Sequence, residues 1–252
     1  MKKASKNIKS LRVLKTVLLV AVVCLLAVSI VSCKFPFGLV RGSGDIETET
    51  VEVSGFKEVV LSGVGNLIIE QGDEESLIIE ADDNILSLIE VKVSGDKLTI
   101  GMKKNYNFIP TSKIKFYLTV IDLDAITVNG AGDIDSKEFE TDELEFGISG
   151  AGDIDFNINA DRIEIRSSGA GSITLTGKVD SQEILIDGVG KYDAEELESK
   201  ECEITISGAG TATVNASELL KITISGAGNV YYLGEPKIDQ DVSGVGRIRQ
   251  LD

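Results

Sequence analysis

The sequence predicts an all-β chain whose main body is a parallel β-solenoid (β-helix) with coils of about 19 residues, and three observations carry that prediction. A short phrase recurs as NGAGDID, SGAGDID, SGAGSIT, DGVGKYD, SGAGTAT, SGAGNVY and SGVGRIR, with leading glycines spaced 20, 19, 19, 20, 18 and 18 residues apart. A near-constant period of this size marks stacked repeats. Between the phrases, apolar and polar residues alternate with period two, as in Leu144-Glu145-Phe146 and Ile163-Glu164-Ile165. That is the pattern of strands with one face buried and one wet. Finally, each repeat is too short for a strand–helix–strand crossover and shows no helical apolar spacing.

Aligned on the first glycine, the copies form columns. Two residues before it stand Val128, Ile148, Ser167, Ile186, Ile206, Ile224 and Val242. Four before stand Ile126, Phe146, Ile165, Ile184, Ile204, Ile222 and Gln240. Each coil reads as strand, Gly-x-Gly corner, strand, then a polar turn such as Asn159–Asp161 or Gly177–Asp180. Coils stacked about 4.8 Å apart would line the aliphatic columns into one core. The corner pairs are Gly130 and Gly132, Gly150 and Gly152, Gly169 and Gly171, Gly188 and Gly190, Gly208 and Gly210, Gly226 and Gly228, and Gly244 and Gly246. Two roles are open to them: backbone conformations closed to a residue with a Cβ, and close approach between coils. A bulky residue at Ala170 or Gly171 is expected to disturb neighbouring coils together. The residue before each pair is Ser, Asn or Asp, and stacked hydroxyls there can bond along the column. A phosphate-cradling loop also uses close glycines, but it needs a following helix and a third glycine or a Gly-Lys-Ser/Thr ending, which these copies lack.

In chain order, residues 1–32 read as a secretory signal: six basic residues, then an uncharged run from Thr16 to Ser32. Its ending, Ile30-Val31-Ser32-Cys33, resembles a relaxed lipobox, which implies cleavage before Cys33 and lipid attachment to its thiol. An uncleaved anchor helix is the alternative, and both place the remainder outside the cytoplasm on a membrane. Residues 33–44, with Pro36 and three glycines, read as a tether. Residues 45–120 carry strands at looser spacing, an isolated eighth phrase at Gly63, a helical turn over Asn84–Leu88 and a basic loop from Met102 to Lys113. They are expected to form wider, irregular coils capping the regular stack of residues 121–252. The whole of 45–252 reads as one domain.

The run GFKEVVLSGVGNLIIEQGDEESLIIEADDNILSLIEVKVSGDKLTI, followed by serial SGAGDI-type phrases, resembles the auto-transporter adhesin head-GIN domain family of bacterial envelope proteins. The resemblance implies a right-handed β-helix and frequent lipoprotein anchoring. It supplies no catalytic residues.

The composition bears on chemistry. The chain has 25 basic and 41 acidic residues, a net charge of −16, which falls to near −22 without the six basic residues of the leader. Nucleic acid and anionic lipid surfaces are therefore disfavoured as partners. With no histidine and no tryptophan, the commonest general base and the best sugar-stacking side chain are absent. Asp133, Asp135, Asp153 and Asp155 fall in equivalent positions of successive coils, a weak candidate Ca²⁺ set whose pairing does not persist along the column. Cys24 lies in the leader, and Cys202 shares a column with Leu144, Ile163 and Leu220, as a buried apolar residue would. No catalytic group and no cofactor is expected. The reading is a non-enzymatic envelope lipoprotein whose long face binds a protein or glycan. The alternatives are a structural or sensing component, self-associating through an uncapped C-terminal coil, and a carbohydrate-active β-helix enzyme.

Overall fold

The computed structural model describes residues 39–104 and 106–251. The leader 1–32, Cys33 and the first part of the tether lie outside the described residues. The strands are β1 Leu39–Arg41, β2 Ile46–Val51, β3 Glu58–Leu61, β4 Val64–Gln71, β5 Ser76–Asp82, β6 Ile89–Ser94, β7 Lys97–Met102, β8 Asn107–Ile109 and β9 Lys115–Val120. They continue as β10 Ala125–Val128, β11 Ala131–Ile148, β12 Ile154–Ser167, β13 Ser172–Ile186, β14 Lys191–Ile206, β15 Thr211–Ile224, β16 Ala227–Leu233, β17 Lys237–Val242 and β18 Val245–Gln250. One helical turn, α1, spans Asp83–Leu86.

The body is a parallel β-solenoid of about seven turns. Two parallel ladders form its walls. The first runs β7, β3, β10, then the second halves of β11 to β15, then β17. The second runs β9, β4, then the first halves of β11 to β15, then β16 and β18. The column four before the glycine is realised as the register Ile126, Phe146, Ile165, Ile184, Ile204, Ile222. All six are buried. Phe156 packs edge-on against Phe146, ring centroids 5.2 Å apart, and tilted against Phe139 at 5.5 Å.

The expected polar turns are not turns. Asn159 and Ala160 stay in register with Lys178 and Val179, so the chain bends while pairing continues. Register shifts between Ser136 and Phe139, Thr174 and Gly177, and Ala194 and Glu198 absorb the bend. This makes a short third wall whose outward residues are polar because they are wet, which is what imitated a turn in the sequence.

At the corners, the middle residue donates to the first glycine of the coil beneath: Ala151 N to Gly130 O at 2.9 Å, Ala170 N to Gly150 O at 3.0 Å, Val189 N to Gly169 O at 3.0 Å. A Cβ on each first glycine from Gly130 to Gly244 would overlap the carbonyl oxygen of the glycine below. None of the fourteen repeat glycines has positive φ. Close approach, not special conformation, is therefore what these positions require. The middle residue points outward, with Val189 69% and Val245 80% exposed. The expectation that bulk at Ala170 disturbs the stack is corrected: there is open solvent beside it, and only Gly171 is confined.

The N-terminal zone also departs from irregular coils. The isolated phrase at Gly63 is a full member of the stack: β3 and β4 lie directly beneath β10 and β11 (Val59↔Ile126, Leu67↔Ile134). Beneath that coil lies another made from β7 and β9, which come later in the chain (Val59↔Leu98, Leu67↔Phe116). The end is closed by antiparallel strands, β6 on β7, β5 on β9 and β2 on β5. Antiparallel pairing suits an end because short hairpins reverse the chain, as Ser94-Gly95-Asp96 does between β6 and β7.

Order also begins earlier than Asp45. β1 pairs with β8, and Gly42 N donates to Ile109 O at 2.9 Å. Asn84 Nδ2 holds Arg41 O at 2.8 Å, and the buried Asp82 carboxylate accepts from Gly44 N and Thr111 N, both at 2.9 Å. The Gly/Ser-rich composition that suggested a tether instead allows close docking, since a Cβ on Gly42 would meet that carboxylate.

Candidate functional site

Each strand presents alternate residues outward, so stacked coils convert a sequence column into a row on the surface. Five residues after the first glycine, the second wall carries Ile68, Asp135, Asp155, Thr174, Asp193, Thr213 and Tyr231 in continuous register. The cap extends the row with Tyr117 beside Ile68 and Ile78 beside Tyr117. Ile78 and Tyr117 are 39% and 36% exposed, an apolar step at the edge of an acidic face.

Where the step meets the acidic row lies a groove of about 680 Å³, lined by Ile68, Tyr117, Asp135, Lys137, Asp155 and Asn157 among others. Asp135 titrates above the ordinary carboxylate range, first because it is partly buried, then because Asp155 and Asp133 repel its charge, with Lys113 opposing. The floor is aromatic and aliphatic; the walls offer carboxylate acceptors, an amide and an ammonium group. Such a mixture binds a ligand having both an apolar face and hydroxyl or amine donors.

The candidate acidic set is only partly brought together. Asp135 and Asp155 are register neighbours, whereas Asp133 and Asp153 turn toward the backbone. Asp133 Oδ1 accepts from Asp153 N at 3.4 Å, Asp153 Oδ1 from Ser172 N at 2.9 Å, and Lys113 Nζ stands 3.6 Å from Asp133. Among the described residues no three metal-ligating side chains converge. These two aspartates close corner amides, a structural task that the repeat GAGDID already encodes.

The first wall carries a different row, Glu145, Glu164, Glu183 and Glu203, stacked coil on coil. Arg166 spans Glu145 and Glu164, Arg162 pairs with Glu183, and Lys221 with Glu203. This wall neutralises itself, and its exposed pairs contribute little to stability.

Cys202 is 2% exposed and burial pushes its thiol well up, as for an unreactive core residue. One feature of the interior has no counterpart in the sequence reading. Gln182 sits in an apolar column yet is 2% exposed, accepting from Tyr192 Oη at 2.8 Å and donating to Ser199 Oγ at 2.8 Å. Ser199 Oγ in turn donates to Asn215 O at 2.6 Å. Burial pushes the Tyr192 phenol well above its ordinary pKa, so it stays a neutral donor to Gln182.

Tyr117 and Ile68 were missed as site residues because the first lies in the insertion and the second in the phrase that looked isolated. Aligning Gly63 with Gly130 would have put Ile68 in the column of Asp135.

Among the described residues no helix is long and apolar enough to cross a membrane. The family described as "Putative auto-transporter adhesin, head GIN domain" matches residues 55–236. The fold is similar to the crystal structure of a putative adhesin from Bacteroides fragilis, with a TM-score of 0.79 and 27% identity over 84% of this chain and 100% of that one. It is also similar to a putative adhesin from Parabacteroides distasonis (TM-score 0.67, 23% identity, 85% and 100% covered). A structure described as a putative lipid binding protein from the same species shares the fold (TM-score 0.68, 22% identity, 85% and 100% covered). No curated protein sequence matches the chain.

Proposed function

The chain belongs to the auto-transporter adhesin head-GIN family, and from that premise we propose that it is a non-catalytic, lipid-anchored envelope protein that binds its target through the groove beside Tyr117. The observation that carries this reading is the meeting of an apolar step, Ile78–Tyr117–Ile68, with the acidic row of Asp135 and Asp155 on an exposed solenoid wall. On the first wall, by contrast, Glu145, Glu164, Glu183 and Glu203 are taken up by Arg166, Arg162 and Lys221. The description of a similar structure as a putative adhesin agrees with a binding role, and the lipobox-like Ile30–Cys33 supplies the anchor.

An aromatic face flanked by carboxylates and an amide suits a saccharide, whose ring C–H groups pack on the tyrosine while hydroxyls donate to Asp135 and Asp155. The test is binding of the full chain to an array of bacterial and host glycans and matrix proteins, repeated with Tyr117→Ala and Asp155→Asn. Loss of the bound targets with an unchanged melting temperature supports the groove; unchanged binding in both variants rejects it. Separately, Cys33→Ser should abolish incorporation of a labelled fatty acid and release the protein from membranes, and retention of label would reject the anchor.

A further inference from the structure

β17 and β18 make the last described coil. Each is paired on one side, β17 with β15 and β18 with β16, and among the described residues no strand covers the other edge. The inward columns are correspondingly uncovered. Leu220 and Ile224 are 0% exposed, whereas their register partners one coil on, Ile238 and Val242, are 38% and 42% exposed. An edge of this kind is a template for another strand. The opposite end of the solenoid is closed by antiparallel strands instead.

The charges on this coil are independent of its open edge and point to one occupant. Asp241 and Asp239 stand three and five residues before Gly244; Arg247 and Arg249 stand three and five residues after it. No other Gly-x-Gly coil separates charge this way. The same four positions are Gly147, Glu145, Asp153 and Asp155 around Gly150, and Thr223, Lys221, Asn229 and Tyr231 around Gly226. All four terminal charges are exposed, and among the described residues none takes part in an ion pair.

A two-fold axis through the Gly244–Gly246 corner, lying in the plane of the open end, lays β17 of one copy antiparallel along β18 of the other. Counting outward from the corner, Asp241 then faces Arg247 of the second copy, and Asp239 faces Arg249 of the second copy. Symmetry repeats both contacts. The inward columns close as well, with Ile238 over Gln250 and Gln240 over Ile248. A head-to-tail arrangement fits less well, because the outward residues of β6, Glu90, Lys92 and Ser94, carry no net charge to set against Asp239 and Asp241. A self-complementary patch is what a closed dimer requires.

We propose that two copies of this chain join end to end through β17 and β18, as a two-fold dimer held by antiparallel strand pairing and reciprocal Asp–Arg contacts. The dimer leaves the groove at Tyr117 on the side wall, so it stands or falls independently of the binding proposal.

The test uses two differently tagged full-length chains, co-expressed and extracted in detergent, read by co-purification and by sedimentation. The unsubstituted chain should co-purify and sediment as a dimer. Asp239→Arg with Asp241→Arg makes both edges basic, and Arg247→Asp with Arg249→Asp makes both acidic. Each pair of substitutions turns four attractive contacts into repulsive ones and should weaken self-association by about tenfold or more, at roughly 0.2–1 kcal/mol for each exposed pair. Mixing the two variants should restore association, since every arginine again meets an aspartate, and that recovery also shows that both variants are folded. A monomeric unsubstituted chain, an open-ended series of oligomers, undiminished association of either variant, or failure of the mixture to associate would each overturn the proposal.

Discussion

Gly171→Ala tests the corner with a single methyl group. A Cβ there would overlap Gly152 O and stand 3.1 Å from its carbonyl carbon, so the two coils must separate locally by about 1 Å to reach ordinary contact. Two hydrogen bonds flank the position: Ala170 N to Gly150 O at 3.0 Å and Ser172 N to Asp153 Oδ1 at 2.9 Å. Weakening both, at about 1–3 kcal/mol for each donor left unsatisfied, gives a loss of about 2–6 kcal/mol. For a domain of this size that corresponds to a fall in melting temperature of about 10 °C. Ala170→Val is the internal control. Its side chain enters solvent, as Val189 already does in the next coil, so its effect should stay within about 0.5 kcal/mol. Urea and thermal unfolding of both variants, followed by circular dichroism, provide the assay. Equal stability of the two, or a larger loss for Ala170→Val, would refute the assignment of which corner residue is confined.

Other outcomes follow from buried and partly buried polar groups. Asp135→Asn should raise stability at neutral pH, by no more than about 0.5 kcal/mol. The folded state raises this carboxyl's pKa, so its unfavourable contribution is present above that value and fades as pH falls through it; the gain from the substitution should fade in the same window. A gain that instead grows on acidification would contradict this assignment. Asp82 is the opposite case. Hydrogen bonding, chiefly from the Thr111 hydroxyl and against the opposing effect of burial, lowers its pKa, so its contribution is intact above the ordinary carboxylate value and is lost as pH falls through the folded one. Asp82→Ala should speed amide exchange at Gly44 and Thr111 without exposing the corner amides of β12 to β15. Gln182→Leu should destabilise by about 1–3 kcal/mol by orphaning the Tyr192 hydroxyl, and adding Tyr192→Phe should recover most of that loss. Chemical denaturation of the single and double variants decides it.

The regular coils were legible because each repeat restates the same constraints: an aliphatic residue at every second position and a glycine wherever one carbonyl presses on the next coil. Along the two main walls, alternation told inside from outside correctly. It put Gln182 inside too, but not its partners: Tyr192 and Ser199 lie on the next strand, β14, and only three-dimensional packing joins them to it. It failed at Asn159 and Gly177, because a wet strand at a bend has the composition of a turn. The N-terminal zone hid its architecture in the order of the chain. The coil at Gly63 is laid down first, and its lower neighbour and upper neighbour are both supplied later, by β7–β9 and β10–β11. No local signal marks such an insertion, so the contact between Tyr117 and the row of Asp135 was out of reach. Cys33, proposed above as the anchor, is the reverse case, being readable only as sequence.

The claim under everything else is that Gly-x-Gly phrases 18 to 20 residues apart are neighbours in a stack. Residue-resolved amide hydrogen exchange tests it directly. Ala151, Ala170, Ala209 and Ala227 have exposed side chains, yet each backbone N–H donates to a glycine carbonyl one coil below, at 2.9 to 3.0 Å. Stacked coils require these surface amides to exchange as slowly as the core amides of Ile165 and Ile204. Exchange at the rate of open turns, with protection confined to the flanking strands, would mean that the phrases are isolated hairpin loops and that the solenoid account is wrong.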